Sequence, residues 1–172
     1  VASEAMSLAG SIGLDKLIVL YDSNKITIEG STDLAFRENV RQRMEAYGYH
    51  TLVVEDGNDL EAIAKAIEEA KTNKEKPSFI EIKTVIGYGT PLAGTSKAHS
   101  DPMGEEKVKA FRETIGWESS EPFEIDDEVY HHFDDMKSKF QSYEDEWDEL
   151  FASYRQAFPE LAHQYETYYA TE

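Results

Sequence analysis

The sequence contains no cysteine, so disulfide bonds, thiolate metal sites and cysteine nucleophiles are all excluded. It also lacks any apolar run near the length that a membrane-spanning helix needs, and we see no segment with the pattern of a signal peptide. These absences fit a cytoplasmic protein, and we expect that location.

Basic residues are scarce, with 17 Lys and Arg against 35 Asp and Glu, which gives a formal net charge of -18. The imbalance is concentrated late in the chain, because residues 1–100 hold 11 basic and 15 acidic side chains while residues 101–172 hold 6 and 20. Such a C-terminal part repels nucleic acid and anionic membranes, so we expect neither as a partner. The simplest interpretation of the charge is a solvated acidic face that keeps the protein soluble.

The length of 172 residues corresponds to about one domain and is sufficient for a sizeable core. The chain begins with Val1 inside a segment where small residues already recur at helical spacing. A native chain rarely starts within a helix that leads into a buried strand. We therefore expect that this sequence is a piece of a longer protein.

The segment from Leu17 to Gly30 has the most informative pattern in the chain. Its first four residues are continuously apolar, which is typical of a parallel strand covered on both faces, and polar residues then follow abruptly. In α/β sheets, ligands bind at this carboxyl end of the strands. The side-chain oxygen of Asn24 and the main-chain carbonyl of Ile26 could together bind a hard cation such as Mg²⁺. Alternatively, Asp22 and Asn24 simply bond their own backbone in a turn.

Strand and helix patterns alternate along the chain, which predicts an α/β fold with a parallel sheet and flanking helices. Three strands make a thin sheet, so we expect further residues, not present here, to complete it. The predicted strands are 17–22, 50–55 and 78–85, and the predicted helices are 2–12, 33–47, 60–71, 104–115 and 126–158.

A long glycine-containing loop follows the third predicted strand, and loops of this length in compact domains are often functional. Three glycines near Ile86 allow close approach of the backbone to a ligand, although the Gly-x-Gly at 87–89 is by itself a weak phosphate signal. His99 is the only imidazole of this loop. It is either an exposed surface residue or a ligand-binding group at a second strand end.

The predicted helix over 126–158 carries an aromatic stripe, which indicates packing rather than a cofactor site. His131 and His132 lie on this helix without a third ligand in the sequence, so we expect no metal there. After Pro159 the tyrosine-rich tail is interpreted as a linker.

Four segments of the sequence resemble transketolase: residues 3–36 (SEAMSLAGSIGLDKLIVLYDSNKITIEGSTDLAF), 43–71 (RMEAYGYHTLVVEDGNDLEAIAKAIEEAK), 76–99 (KPSFIEIKTVIGYGTPLAGTSKAH) and 128–133 (EVYHHF). The resemblance implies the second half of the N-terminal, diphosphate-binding domain of that family. Residues 1–125 would then be the C-terminal part of this α/β domain and 126–158 a helical extension. Residues 159–172 would start the linker to an absent pyrimidine-binding domain.

The resemblance also implies a cofactor, thiamine diphosphate, held through Mg²⁺, for which Ca²⁺ can substitute. Asn24 and Ile26 match the family's metal ligands, and Ile28 and Ile86 match apolar residues near the thiazolium. His99 matches a catalytic histidine that reaches the diphosphate and the sugar. The Gly-Asp-Gly that starts the family's thiamine motif would lie before Val1. Glu4 resembles a glutamate of the family's dimer interface.

The implied reaction is transfer of a two-carbon ketol unit from a ketose phosphate to an aldose phosphate, by a homodimer of the full-length enzyme in the pentose phosphate pathway. We expect the chain to be inactive alone. Two alternatives remain: a related thiamine enzyme such as dihydroxyacetone synthase, or a non-catalytic acidic interaction module. One departure from the family pattern is that His99 is followed by Ser100 and Asp101 in place of Gly-Ala, and the added carboxylate would repel a phosphate.

Overall fold

The structure is a computed structural model, and it describes residues 1–119 and 121–170. The chain divides into two compact units, Val1–Glu118 and Ser119–Glu172. The domain boundary predicted at residue 125 therefore lies seven residues beyond the end of the first unit. Each unit is described here by itself.

The first unit alternates helices and strands, as the sequence predicts. Its two 3-10 turns are Thr32–Leu34 and Ser96–His99. Its helices and strands are, in chain order, α1 (Ala2–Ser11), β1 (Ile18–Ser23), β2 (Ile26–Thr27), β3 (Gly30–Ser31), α2 (Val40–Ala46), β4 (His50–Val54), α3 (Leu60–Thr72), β5 (Ser78–Lys83) and α4 (Glu105–Ile115).

The main sheet has the strand order β1-β5-β4, and both pairings are parallel. In this register Ser23 of β1 lies beside Lys83 of β5, and Val54 of β4 lies beside Ile82. The carboxyl ends of all three strands therefore meet at one edge. This confirms the predicted α/β class with a parallel sheet and flanking helices.

The central strand β5 joins two apolar clusters on opposite faces of the sheet. Phe79 packs with α1 and α2, whereas the next residue, Ile80, packs with α3, because successive strand residues point to opposite faces. Phe79 is 3% exposed and Ile80 is 0% exposed. On the first face α1 packs very closely against the C-terminal end of α2. A Cβ on Gly10 would lie only 1.8 Å from the carbonyl oxygen of Tyr47.

The helix predicted over 33–47 is wrong in its first half. The chain instead forms the β2–β3 hairpin and a 3-10 turn, and the α-helix begins only at Val40. Two separate caps explain the interruption: the Ser31 hydroxyl accepts from the backbone N–H of Asp33, and the Asn39 side chain accepts from that of Gln42. A capping residue has a non-helical backbone, so Asn39 starts a new helix instead of continuing one.

The second unit is a pair of helices, α5 (Asp127–Ala157) and α6 (Pro159–Tyr169). The Tyr165 ring lies 5.3 Å from that of Phe151 and 6.5 Å from that of Trp147, while Arg155 bonds Glu166 between the two helices. The tail that the sequence analysis interpreted as a linker is therefore helical as far as Tyr169. Pro159 occupies the first turn of this helix, a position to which proline is well suited. Residues 171–172 of that tail lie outside the described residues.

The remaining predicted helices and strands begin and end within two residues of their observed limits. Within residues 1–119 and 121–170, none of the helices combines the length and apolar character that crossing a membrane requires.

Candidate functional site

The ends of β1 and β5 are held together by side chains as well as by the sheet. Ser23 Oγ donates to Glu81 Oε1 at 3.0 Å, and the Thr84 hydroxyl donates to the carboxylate of Asp22. The backbone N–H of Thr84 continues the ladder by donating to the Ser23 carbonyl at 3.3 Å. These bonds fix where the two strands leave the sheet, and hence where the following segments start.

A tight turn follows β1. Asn24 Oδ1 accepts a hydrogen bond from the backbone N–H of Ile26 at 3.0 Å, and Lys25 between them has a φ of 61°. The turn is closed by the N–H of Thr32, which donates to the Lys25 carbonyl at 3.0 Å. Asn24 therefore does bond its own backbone, as the simpler alternative holds, but an amide oxygen has two lone pairs and the second is left for a ligand. Asp22 differs, because it bonds Thr84.

The β2–β3 hairpin places the two isoleucines of this turn. Ile26 pairs with Ser31 across the hairpin and is half-buried. Thr27 Oγ1 donates to the Gly30 carbonyl at 2.9 Å, which closes the hairpin. Ile28 lies at the tip with 68% of its surface exposed, so it presents an apolar side chain to whatever occupies this edge.

The loop after β5 folds back on itself. The carbonyl oxygen of half-buried Ile86 accepts a hydrogen bond from the N–H of Gly94 at 2.9 Å. Gly87 has a φ of 65°, and a Cβ added to it would lie 3.1 Å from the methyl group of Ala98. Any other residue at position 87 would therefore strain the backbone, and its Cβ would crowd Ala98. This folding brings the Ser96–His99 turn against β2. His99 itself is exposed.

The five predicted site residues thus gather around one edge of the sheet. Asn24 and Ile26 follow β1, Ile86 follows the neighbouring strand β5, and the turn that ends in His99 contacts β2. His131 and His132 lie on α5, in the other unit.

The donors at this edge suit a hard cation only in part. Asn24 and Ile26 offer neutral oxygens, which is the ligand type that Mg²⁺ takes, usually together with water and phosphate oxygens. Within residues 1–119 and 121–170, no group of three or more His, Asp or Glu side chains could hold a metal ion. A cation here would therefore need ligands from a bound phosphate or from outside this chain.

A polar cleft of about 440 Å³ lies beside the end of β1, and none of the five residues predicted from the sequence lines it. Burial, followed by the charge of Glu81, raises the pKa of Tyr21 on its wall. The available signal was the group of charged residues over 37–45, a segment that the sequence analysis placed within the predicted helix 33–47. The lining residues are Tyr21, Ser23, Lys25, Thr32, Asp33, Phe36, Arg37, Glu38, Asn39, Val40, Arg41, Glu55, Glu81 and Lys83.

A family model described as "Transketolase, thiamine diphosphate binding domain" matches residues 1–172, the whole chain. The chain belongs to this family. The transketolase of Bacillus subtilis is 48% identical over 168 residues, and transketolase 1 of Saccharomyces cerevisiae is 43% identical over 164. These matches cover 96% and 94% of this chain.

Solved transketolases have the same fold as this chain. A Pichia stipitis transketolase in complex with sedoheptulose-7-phosphate superposes with a TM-score of 0.89 at 40% identity, and so does the Leishmania mexicana transketolase. Each match covers 94% of this chain and 24% of the solved chain. The chain spans about a quarter of the length of the curated transketolases it matches, 25% for the Bacillus subtilis protein.

Proposed function

We propose that this chain supplies one side of the thiamine diphosphate site of a transketolase, which transfers a two-carbon ketol unit from a ketose phosphate to an aldose phosphate in the pentose phosphate pathway. The observation that carries the proposal is the turn at Asn24, which lies at the carboxyl edge of a parallel sheet with the His99 turn against the adjoining hairpin. Family membership supports it, as do relatives solved with sedoheptulose-7-phosphate and xylulose-5-phosphate.

Asn24 and Ile26 would hold Mg²⁺ through the amide oxygen and the main-chain carbonyl, and Ca²⁺ could take its place. Both are hard oxygen donors without charge, so the positive charge of the cation would be balanced mainly by the diphosphate. When bound, thiamine diphosphate supplies the electron sink for making and breaking the carbon–carbon bond.

The other residues of the edge would position the cofactor and the sugar. Ile28 and Ile86 offer apolar surface to the thiazolium ring, which shields it from water. His99 would donate a hydrogen bond to an oxygen of the diphosphate or of the sugar. Asp101, two residues later, places a carboxylate near an anionic substrate and would weaken phosphate binding on that side of the loop.

The assembly would follow the family. We propose a cytoplasmic homodimer in which residues 1–125 belong to the diphosphate-binding domain, 126–158 extend it as helix, and 159–172 lead to a pyrimidine-binding domain. The 172 residues alone would then bind magnesium and thiamine diphosphate weakly or not at all, because most of the site lies elsewhere.

The proposal is tested by replacing Asn24 with Ala in the native enzyme that contains this chain. We expect the apparent dissociation constant of thiamine diphosphate, titrated by fluorescence in the presence of Mg²⁺, to rise at least tenfold. The urea midpoint should shift little, since the Asn24 side chain makes a single hydrogen bond that water can replace. Asn24→Asp keeps an oxygen at the same position and should restore much of the affinity.

Asn58→Ala is the matched control, because Asn58 also lies in a turn after a strand but its hydrogen bonds go to Asp56. This variant should leave cofactor affinity unchanged. Equal affinities of the Asn24→Ala and wild-type enzymes would remove Asn24 from the ligand set and the proposal would lose its main support.

A further inference from the structure

The turn between β4 and α3 contains a pair of residues that is chemically reactive in unfolded chains. Asp56 and Gly57 form the only Asp-Gly pair in the sequence, which has no Asn-Gly pair. Glycine has no side chain to shield its backbone nitrogen, so this nitrogen can attack the carboxyl group of the preceding aspartate. The pair follows β4 and has no role in the proposed function.

The reaction that such a pair undergoes is isomerisation of the aspartate. The nitrogen of Gly57 forms a bond to the side-chain carboxyl carbon of Asp56 and loses its proton, while that carbon loses an oxygen as water. The product is a cyclic succinimide. Water then opens the ring, and when it adds at the main-chain carbonyl of Asp56 the chain continues through the side chain as isoaspartate. No oxidant or other reactant is needed.

The packing of this turn depends on the same glycine that makes the pair reactive. A Cβ on Gly57 would lie 2.6 Å from Cγ2 of Thr84 and 3.1 Å from the carbonyl oxygen of Lys83. Any larger residue would therefore push the turn away from the end of β5.

The attacking nitrogen is held in the native fold. The N–H of Gly57 donates a hydrogen bond to the carbonyl oxygen of Lys83 at 2.8 Å. Lys83 is the last residue of β5 and lies beside Ser23 in the pairing of β5 with β1. The nitrogen has to break this hydrogen bond before it can attack, so the reaction requires the turn to separate locally from the sheet.

The carboxyl group of Asp56 is held as well. Its Oδ1 accepts hydrogen bonds from the backbone N–H of Asn58 at 2.9 Å and from the side-chain Nδ2 of Asn58 at 3.1 Å. The backbone hydrogen bond, followed by the side-chain one, lowers the pKa of Asp56, because both stabilise the charged form. Asp56 is therefore ionised at neutral pH, and a carboxylate is attacked much less readily than the neutral acid.

Isomerisation at this place would disturb the start of α3. The turn is closed by the N–H of Asp59, which donates to the carbonyl oxygen of Asp56 at 3.1 Å. The Asp59 side chain in turn caps α3 by accepting from the N–H of Ala62 at 2.9 Å. Isoaspartate inserts an additional methylene into the main chain, which would move the Asp56 carbonyl away from Asp59 and displace this cap.

We propose that Asp56 is a modification site of this chain, at which isoaspartate forms only when the turn separates from β5. In the native fold, the hydrogen bond from Gly57 to Lys83 and the hydrogen bonds from Asn58 to Asp56 suppress the reaction. The proposal does not depend on the proposed function.

The test compares isomerisation in the native enzyme that contains this chain with isomerisation in the same enzyme unfolded in urea. Both samples are kept at neutral pH, and the tryptic peptide over residues 44–65, which contains the pair, is isolated at intervals. Isoaspartate in this peptide is measured with isoaspartyl methyltransferase. We expect the native rate to be lower by about tenfold or more, because the reaction requires local opening. Equal rates in the two samples would overturn the proposal.

Asn58→Ala tests the protection of the carboxylate. The variant loses the side-chain hydrogen bond to Asp56, so its native rate should rise about threefold. Asn73→Ala is the matched control, because Asn73 accepts from the N–H of Glu75 in a similar turn at the other end of α3, and it should isomerise like the wild type. An Asn58→Ala rate equal to that of the control would contradict the role of Asn58.

Two further measurements identify the site and the opening. Asp56→Glu should abolish the isoaspartate signal of the peptide, since glutamate cyclises much more slowly, and a signal that persists would overturn the assignment. In urea below the unfolding transition, hydrogen exchange of the Gly57 amide and isomerisation should increase by the same factor, because both require its hydrogen bond to Lys83 to break. Isomerisation that increases without exchange would overturn the proposed protection.

Discussion

Large apolar residues are buried in the α/β unit of this chain but remain about half exposed in its helical unit. In the α/β unit two helices cover one face of the sheet and α3 covers the other, so β5 contributes residues such as Ile80 with no exposed surface. In the helical unit α5 meets one shorter helix, and its large side chains remain about half exposed. Layering around a sheet buries apolar surface on two sides, whereas a pair of helices buries only the stripe between them.

The comparison predicts that stability is concentrated in the α/β unit. Ile80→Ala removes a fully buried side chain from the apolar cluster between the sheet and α3, and we expect it to lower the free energy of unfolding by about 2–5 kcal/mol. The measurement is urea denaturation followed by far-UV circular dichroism. Ile28→Ala deletes the same atoms at a site that is 68% exposed and should change stability by less than about 0.5 kcal/mol. Equal losses in the two variants would contradict the burial difference.

The second prediction concerns the close approach of α1 in the α/β unit. Gly→Ala inside a helix normally stabilises it by about 0.5–1 kcal/mol. At Gly10 the new Cβ would lie 1.8 Å from the carbonyl oxygen of Tyr47, so α1 would have to move away from the C-terminal end of α2. We therefore expect a net loss of about 3 kcal/mol in the same urea assay, as overpacking produces. A stabilised Gly10→Ala variant would show that α1 is not held against Tyr47.

The smallest effect is expected in the helical unit. Arg155 bonds Glu166 and stacks on Phe151 at 5.1 Å, but both charged groups are about half exposed, so Arg155→Gln should cost no more than about 1 kcal/mol. Because Trp117 lies in the α/β unit, a Trp117→Phe background leaves Trp147 as the only fluorescent tryptophan. Urea unfolding monitored through Trp147 then follows α5. Lys107→Gln, on α4, is the charge-matched control. If Arg155→Gln lowers the free energy of unfolding by more than about 2 kcal/mol, the helical unit is more stable than its burial indicates.

Periodicity predicted most of this fold because local pattern and tertiary packing agree. Leu60–Thr72 is amphipathic and capped by Asp59, so both its limits and its buried face follow from the sequence. The helix prediction for 33–47 failed because Ser31 caps a short 3-10 turn and Asn39 caps a separate helix. In the sequence alone, Asn39 cannot be told from a residue on a helix surface. The chain does break before Pro159, but the tail after it, interpreted as a linker, forms helix α6.

The residues of the proposed site were chosen from the sequence, and their roles stay predictions; their arrangement could not be predicted. The polar exit at Asn24 and the loop histidine at 99 follow from the sequence and its resemblance to transketolase. The bond between Asp22 and Thr84 does not, because it joins residues 62 positions apart and depends on β1 lying beside β5 instead of β4. Strand order is decided by how the helices cover the sheet, which a single sequence does not reveal.

The hydrogen bond from Ile26 to Asn24 has a further consequence for any ligand that reaches this turn. A free asparagine samples several rotamers, and immobilising it on binding would reduce affinity through lost conformational entropy. Here the side chain closes its own turn, so that loss occurs when the chain folds and not when a ligand arrives. An amide oxygen held in this way would meet a cation as a fixed atom rather than as part of a mobile side chain.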